Sequence, residues 1–198
     1  MFLFLFTTVF AADPKYKLGD ATHTTKWSWA SMGSYTLTPE KFGSGGDYEG
    51  LYKIVAWEHK DFSCRLDIHS RHLNTYNTKV DYADKCTGKA KGKKIIEFSK
   101  NDTFISGVQF CYNGRDGDDI LGGRTEQLKG LRVWSRQLNR TTGGLKEKIK
   151  KEWTRPNCRE WGKERHCPAG QIAWKIDLLQ SEQGTFKIRL LCKKVIEK

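Results

Sequence analysis

The chain has 198 residues, of which 37% are hydrophobic and 12% aromatic, and this composition supports a folded core and excludes a disordered protein. Lys and Arg outnumber Asp and Glu by 35 to 23, which gives a net charge of +12. Such a surplus predicts attraction to acidic glycans, phospholipid headgroups, bacterial envelopes or nucleic acid. A basic surface that only keeps the protein in solution is the alternative.

The first twelve residues, MFLFLFTTVFAA, are apolar and end in small residues, which is the pattern of a secretory signal peptide. They lack the usual positive residues at the start, and a buried N-terminal strand is the alternative. The stretch is too short to span a bilayer. We therefore expect residues 1–12 to be a signal peptide and residues 13–198 to form one domain. In a secreted protein, nucleic acid is not an expected partner, and no transmembrane segment is predicted.

Six cysteines, an even number, predict disulfides in an exported chain. They are Cys64, Cys86, Cys111, Cys158, Cys167 and Cys192. The favoured pairs are Cys64–Cys86 and Cys167–Cys192, since each would join neighbouring segments. A zinc site is the rival interpretation, but CREWGKERHC (158–167) lacks the C-x2-C spacing of structural zinc. Glycosylation sequons at Asn101 and Asn139 add support for a surface location.

Along the chain, short runs alternate apolar and polar residues between turns rich in Gly, Asn and Asp, and this predicts strands. The clearest runs are LYKIVAW (51–57), FISGVQFCY (104–112) and WKIDLL (174–179). In contrast, GGLKEKIKKEW (143–153) offers little apolar face, and we predict an exposed connection there.

One strand pattern occurs twice in similar form. LDIHSRHLN (66–74) and LRVWSRQLN (131–139) are identical at five of nine positions. A third, weaker copy lies in the last thirty residues, and corresponding apolar pairs are Ile54 with Ile68, Val108 with Val133, and Ile176 with Leu190. We interpret the chain as three two-strand units, of approximately residues 21–86, 87–142 and 143–198, around a shared core. Three units favour a closed pseudo-threefold arrangement over an open solenoid. Chance similarity between amphipathic strands is the alternative.

The segment GVQFCYNGRDGDDILGGRTEQLKGLRVW (107–134) resembles the repeat of vitelline membrane outer layer protein I. A second point of resemblance is EWGKERHCPAGQIAWKIDLL (160–179), with Trp161 upstream of Cys167. The resemblance implies an all-β fold, a β-prism of three antiparallel Greek-key sheets around a pseudo-threefold axis. The jacalin-like lectins are more distant members of this β-prism group.

The Gly-rich loop NGRDGDDILGG (113–123) carries three carboxylates, which suit either Ca²⁺ or sugar hydroxyls. Jacalin-like lectins have a Gly-x-x-x-Asp pattern at the sugar site, and Gly114 with Asp118 and Gly43 with Asp47 fit it. The candidate carbohydrate-binding residues are Gly114, Asp116, Asp118, Asp119, Asp47 and Trp153. Of the seven tryptophans, only Trp153 is expected to be exposed, because it lies among charges; core packing is expected for most of the others. A solvated turn is the alternative for the aspartates.

A second candidate site binds anions. In KCTGKAKGKK (85–94) the glycines predict a flexible loop, and Lys89, Lys91, Lys93 and Lys94 are its candidate ligands for sulfate or phosphate groups. A solvated face without a partner is the alternative.

No catalytic residue is predicted. His69 and His72 are three apart on a strand and face opposite sides, and Asp47 with Glu49 is a carboxylate pair of unknown separation. We expect a secreted, disulfide-linked carbohydrate-binding or structural protein of an extracellular coat, mucus or secretion. Its partners would be glycans, acidic or sulfated ones included, and other coat proteins. A glycan-processing enzyme and a defence or venom protein acting on anionic membranes are the alternatives.

Overall fold

A computed structural model describes residues 15–29, 38–43, 45–59, 62–113, 128–181 and 184–198. Within these ranges the regular structure is entirely β. The strands in chain order are β1 (Tyr16–Thr24), β2 (Ser28–Trp29), β3 (Glu40–Phe42), β4 (Glu49–His59), β5 (Phe62–His72), β6 (Thr78–Asp84), β7 (Lys93–Glu97), β8 (Thr103–Tyr112), β9 (Leu128–Leu138), β10 (Leu145–Thr154), β11 (Glu160–Trp161), β12 (Arg165–His166), β13 (Gln171–Ser181) and β14 (Gly184–Glu197). In these ranges we find no helix long and apolar enough to cross a membrane.

The strands form three antiparallel sheets with the same spatial order. Sheet I is ordered β6-β5-β4-β7, sheet II is β10-β9-β8-β11 with β12 also on β8, and sheet III is β1-β14-β13-β3 with β2 on β14. In each sheet a long central hairpin has one further strand on either side, which is the Greek-key arrangement. The prediction of three Greek-key sheets is therefore confirmed.

The internal repeat corresponds to the three central hairpins. Ile54 lies directly opposite Ile68, Val108 opposite Val133, and Ile176 opposite Leu190. All six side chains are at most 1% exposed. The first strands of the hairpins, β4, β8 and β13, contact one another pairwise. Each hairpin thus turns its apolar face towards the other two, and the shared core supplies the burial that one sheet alone would lack.

Each hairpin also carries a bulge at the same place. The pairing register shifts between Leu51 and Lys53 in sheet I, and at the equivalent points of β8 and β13. Beyond the bulges a second apolar cluster closes one end of the molecule, made of Tyr16, Leu18, Leu73, Phe104, Leu138, Ile172 and Val195. A Cβ on Gly50 would lie 2.6 Å from Ile172 and 2.7 Å from Phe104. Glycine at position 50 therefore lets the three sheets meet at this end.

The sheets divide the chain at other points than the three sequence units. Sheets I and II take residues 49–97 and 103–166, whereas sheet III combines the first described strands with the last two. The reason is that β1 pairs with β14, so one Greek key is completed by strands from both ends of the described chain.

The prediction of an exposed connection over residues 143–153 is wrong. This segment is most of β10, a ten-residue strand at the edge of sheet II. Its lysines and glutamates suit an edge strand, because charge there discourages pairing with other chains. Alternation along the strand turns Trp153 inward, where it is 9% exposed and belongs to the main core. The expected exposure of Trp153 is therefore also wrong.

All six cysteines form disulfides. The pairs are Cys64–Cys86, Cys111–Cys158 and Cys167–Cys192, and no free cysteine is left. Both favoured pairings are confirmed, and the zinc interpretation is wrong.

Candidate functional site: a groove on sheet I

The predicted sugar residues divide into two groups. Gly114, Asp116, Asp118 and Asp119 lie outside the described residues. Asp47 lies in the turn before β4, where its side chain is 59% exposed and accepts a hydrogen bond from Lys193 Nζ at 3.3 Å. Gly43, the other half of that motif, has φ 116° and donates its backbone N–H to Asp81. A turn between sheets I and III thus presents the Asp47 carboxylate to solvent.

The tryptophans reverse the expectation about burial. Among those whose side chains the structure describes, Trp153 alone is buried, and the other five are partly exposed: Trp27, Trp57, Trp134, Trp161 and Trp174. Four of the five have a guanidinium or ammonium group near the ring, and Trp134 has His166. The aromatic surface that can stack on sugars therefore lies on the outer faces of the sheets.

A cavity of about 510 Å³ opens beside one of these rings. It is lined by Trp57, Arg65, Asp84, Cys86, Gly88 and Ala90, and we name it the Trp57 groove. Its volume falls in the range of small-molecule and cofactor sites, roughly 300–1,000 Å³.

The polar side chains beside the groove are fixed by mutual hydrogen bonds. Asp67 accepts from Trp57 Nε1 at 2.6 Å and from Arg65 Nε at 2.7 Å, and Arg65 also reaches Asp84 at 3.3 Å. The hydrogen bond to Asp67 raises the pKa of Arg65, so its guanidinium stays charged. The same guanidinium lies 4.6 Å from the ring centre of Tyr82. An aromatic ring, a cation and carboxylates are thus held in place before any ligand arrives.

The lysine loop forms one wall of the groove. The Cys64–Cys86 disulfide and the Lys85 N–H to Cys64 carbonyl bond hold one end. At the other end Lys91 donates to the Glu58 carbonyl at 2.6 Å, and Glu58 donates to the Gly92 carbonyl at 3.4 Å. The predicted flexible loop is therefore attached to sheet I at both ends.

Four further lysines lie along this loop and the start of β7. Lys89, Lys91, Lys93 and Lys94 are exposed, and in the described part of the chain none of them has an ion-pair partner. In contrast, Lys85 is paired with Glu40 at 2.8 Å. Lys93 Nζ also lies 5.6 Å from the centre of the Trp57 ring. Of the predicted anion-binding lysines, Lys93 therefore meets a partly exposed aromatic ring, whereas Lys94 lies opposite Ala56 on the other face of β7.

The other two sheets use the same kind of side chains internally. In sheet II, Arg132 stacks 3.8 Å from the centre of Trp161 and donates to Glu152 at 2.6 Å. In sheet III, Arg189 lies 4.3 Å from the centre of Trp27 and pairs with buried Asp177 at 2.8 Å. Sheet I has a comparable set in Arg65, Asp67 and Tyr82, and it differs in the open groove that lies beside this set.

Solved structures show the fold. The chain resembles the Calsepa lectin, solved in complex with a bisected glycan, at TM-score 0.50 and 9% identity, covering 86% of this chain and 96% of the lectin. It also resembles the mannose-binding lectin from Champedak, at TM-score 0.48 and 11% identity, with 80% and 98% covered. A mannose-specific jacalin-related lectin from Morus nigra matches at TM-score 0.44 and 11% identity, with 83% and 99% covered.

The likeness to the Calsepa lectin establishes the β-prism fold and nothing beyond it. No protein-family model matches the sequence, and no curated protein matches it. The expected β-prism is confirmed as the fold of the jacalin-related lectins.

Sequence reasoning found the lysines of the groove but missed Trp57, Arg65, Asp67 and Asp84. A signal for Trp57 was present, because LYKIVAW places it on the face opposite Ile54 and Ala56. Since those two belong to the core, the alternation puts Trp57 outside.

Proposed function

We propose that the protein is a secreted carbohydrate-binding protein that holds acidic polysaccharide in the Trp57 groove. The observation that carries the proposal is the position of Lys93, in a run of exposed lysines without ion-pair partners among the described residues, next to a partly exposed tryptophan beside a 510 Å³ cavity. The net charge of +12 acts in the same direction, because it attracts anionic polymers over long range.

The groove offers a partner for each part of an acidic sugar. The apolar face of a sugar ring stacks on Trp57. Carboxylate or sulfate groups pair with the exposed lysines through charge-assisted hydrogen bonds. Asp84 accepts hydrogen bonds from sugar hydroxyl groups.

The wider setting belongs to the same proposal. Three disulfides suit an oxidising compartment, and residues 1–12 would direct export. The exposed Asn101 would carry a glycan. The Gly114–Asp119 segment and Asp47 would supply further sugar contacts, as the lectin-like fold suggests. We place the protein in an extracellular coat, mucus or secretion, with coat proteins as neighbours and kinship to vitelline membrane outer layer protein I.

The test compares two quadruple variants of equal charge. One replaces Lys89, Lys91, Lys93 and Lys94 by alanine; the control replaces Lys17, Lys26, Lys163 and Lys194. Binding to a sulfated glycosaminoglycan, a polyuronate and a neutral glucan is measured at low and high salt. We expect the first variant to bind the acidic polymers about thirtyfold more weakly, since four exposed charge pairs at about 0.5 kcal/mol each add to about 2 kcal/mol. The control should lose little. Equal losses in both variants would show unspecific attraction and refute the groove.

Anionic membranes are a second candidate, favoured by one observation. Val80, Tyr82 and Ile95 are about half exposed, at 55%, 54% and 47%, on the same sheet as the lysines. Leakage from anionic vesicles, lost on Val80→Ser with Tyr82→Ser, would support this function. Polysaccharide binding that survives the same two changes would support the groove.

A further inference from the structure

A second cavity lies at the opposite end of the sheets from the Trp57 groove. It has a volume of about 440 Å³ and is lined by Asp102, Gln137, Leu138, Asn139, Arg140 and Lys146. Leu138 belongs to the apolar cluster that closes this end, while Trp57 lies near the hairpin turn between β4 and β5. We name this space the Arg140 cavity.

Residues from three parts of the chain, each in or next to a different sheet, fix the arginine. Arg140 Nε donates to Asp102 Oδ1, just before β8, at 2.6 Å, and its Nη2 donates to the carbonyl of Leu73, just after β5. The Arg140 carbonyl accepts from the hydroxyl of Tyr16 in sheet III at 2.6 Å. The ring of Tyr76 lies 4.9 Å from the guanidinium. The cavity wall is therefore preorganised, which lowers the entropic penalty of binding.

Three polar groups of the wall keep unused hydrogen-bonding capacity. The side chain of Gln137 makes no hydrogen bond to a described residue. Asn139 Oδ1 accepts the N–H groups of Thr141 and Thr142 at 2.9 and 3.3 Å, which leaves its NH₂ as a donor. Asp102 uses one carboxylate oxygen for Arg140 and has the other as an acceptor. Donors and acceptors thus stand side by side.

We propose that the Arg140 cavity binds a neutral sugar through adjacent hydroxyl groups. A hydroxyl both donates and accepts, so a vicinal pair matches the carboxylate of Asp102 and the amides of Gln137 and Asn139. Arg140 is already paired with Asp102, and the remaining donors and acceptors of the wall suit hydroxyl groups, with Lys146 as a further donor. Asn139 then acts as a ligand contact, not as the glycan acceptor its sequon suggests.

With two sites at separate ends, the protein would bridge an acidic polymer and a neutral glycan. This bridging rests on the proposed function of the groove, whereas neutral-sugar binding does not. A sandwich assay separates them. An acidic polymer on a bead captures the protein, and a soluble neutral glycoconjugate is then added. Binding of the neutral sugar is also measured without the acidic polymer, by titrating methyl glycosides at high salt, where attraction between exposed charges is screened.

The variants are Gln137→Ala and Asp102→Asn, with Asn77→Ala as control, since Asn77 is exposed at the same end but does not line the cavity. We expect each of the first two to weaken neutral-sugar binding about tenfold, the effect of losing one well-made hydrogen bond. Capture by the bead and the affinity of Asn77→Ala should stay unchanged. Binding of no neutral sugar, equal affinity in Gln137→Ala and Asn77→Ala, or a glycan found on Asn139 of the natural protein would overturn the proposal. Failure of bead capture alone would refute only the groove.

Discussion

The outer faces of sheets I and II place different side chains at corresponding positions. When Ile54 is aligned with Val108, Trp57 corresponds to Cys111, and the strand partners of these residues are Lys93 and Trp161. In sheet II, Trp161 covers Arg132. In sheet I, a lysine stands at that place, and the neighbouring tryptophan borders a cavity. The comparison teaches that a repeated scaffold can cover a position on one sheet with an aromatic ring and leave the corresponding position of another sheet beside an open groove.

The largest expected effect comes from the disulfides that fasten the two faces. Replacing both cysteines of Cys111–Cys158 should cost about 4 kcal/mol of unfolding free energy, and of Cys64–Cys86 about 3 kcal/mol, because the loops span 47 and 22 residues. Urea denaturation measures both values. Only loss of Cys64–Cys86 should also weaken polysaccharide binding, since that bond holds the lysine loop. Equal polysaccharide binding by the two variants that lack a disulfide would contradict this expectation.

Making sheet I like sheet II should close the groove. In Lys93→Trp, the indole is expected to fill the space beside Trp57 and lower the affinity for acidic polysaccharide about tenfold, more than one exposed ion pair can explain. The matched control is Lys93→Ala, which removes the same charge and should lose only about threefold. If the two variants bind alike by isothermal titration, the open space contributes nothing.

The reverse change opens sheet II. Trp161→Lys removes the ring from Arg132, and we expect the unfolding free energy to drop by about 1 kcal/mol, the value of a partly desolvated cation–π contact. Trp161→Phe keeps a ring and should lose less. Thermal denaturation ranks the stabilities of the parent, Trp161→Lys and Trp161→Phe. A stability of Trp161→Lys equal to that of the parent would show that the stack of Arg132 on Trp161 does not stabilise the fold.

The smallest expected effect is the loss of stability at low pH that His69 of sheet I causes. His69 packs edge-on against Tyr52 at 6.2 Å, and burial lowers its pKa below the ordinary value of about 6.5. The unfolded chain therefore takes up the proton first. The contribution of His69 to stability is complete above pH 6.5 and is lost as the pH falls through its folded pKa. Parent and His69→Gln unfolding is compared at pH 7.5 and pH 5. If His69→Gln loses as much stability between pH 7.5 and pH 5 as the parent does, His69 is not the source of the acid sensitivity.

Much of the fold was readable because strand alternation is a local property. The spacing of Ile54 and Ile68 identified cross-strand partners, and it did so again for Val108 and Val133 despite the long insertion between them. The disulfides Cys64–Cys86 and Cys167–Cys192 followed from the same local view.

The remainder depends on neighbours that local patterns do not reveal. Residues 143–153 read as a connection because an edge strand needs few apolar side chains, and Trp153 among charges then read as exposed. The groove joins Trp57 and Arg65 of the central hairpin to a loop beyond β6. Only the strand order of sheet I brings these parts together.

The pairing of β1 with β14 has a consequence for synthesis. Tyr16 lies opposite Glu197 and Thr24 opposite Leu191, so the earliest described strand has no partner until the last one emerges. At about 5–20 residues per second, that wait lasts roughly ten to thirty seconds. We expect sheets I and II to form in the meantime, while the backbone groups of β1 and β2 that pair with β14 stay without partners. Closure of the third sheet would then be the last step of folding, and a chain truncated before β14 would leave β1 and β2 without a strand to pair with.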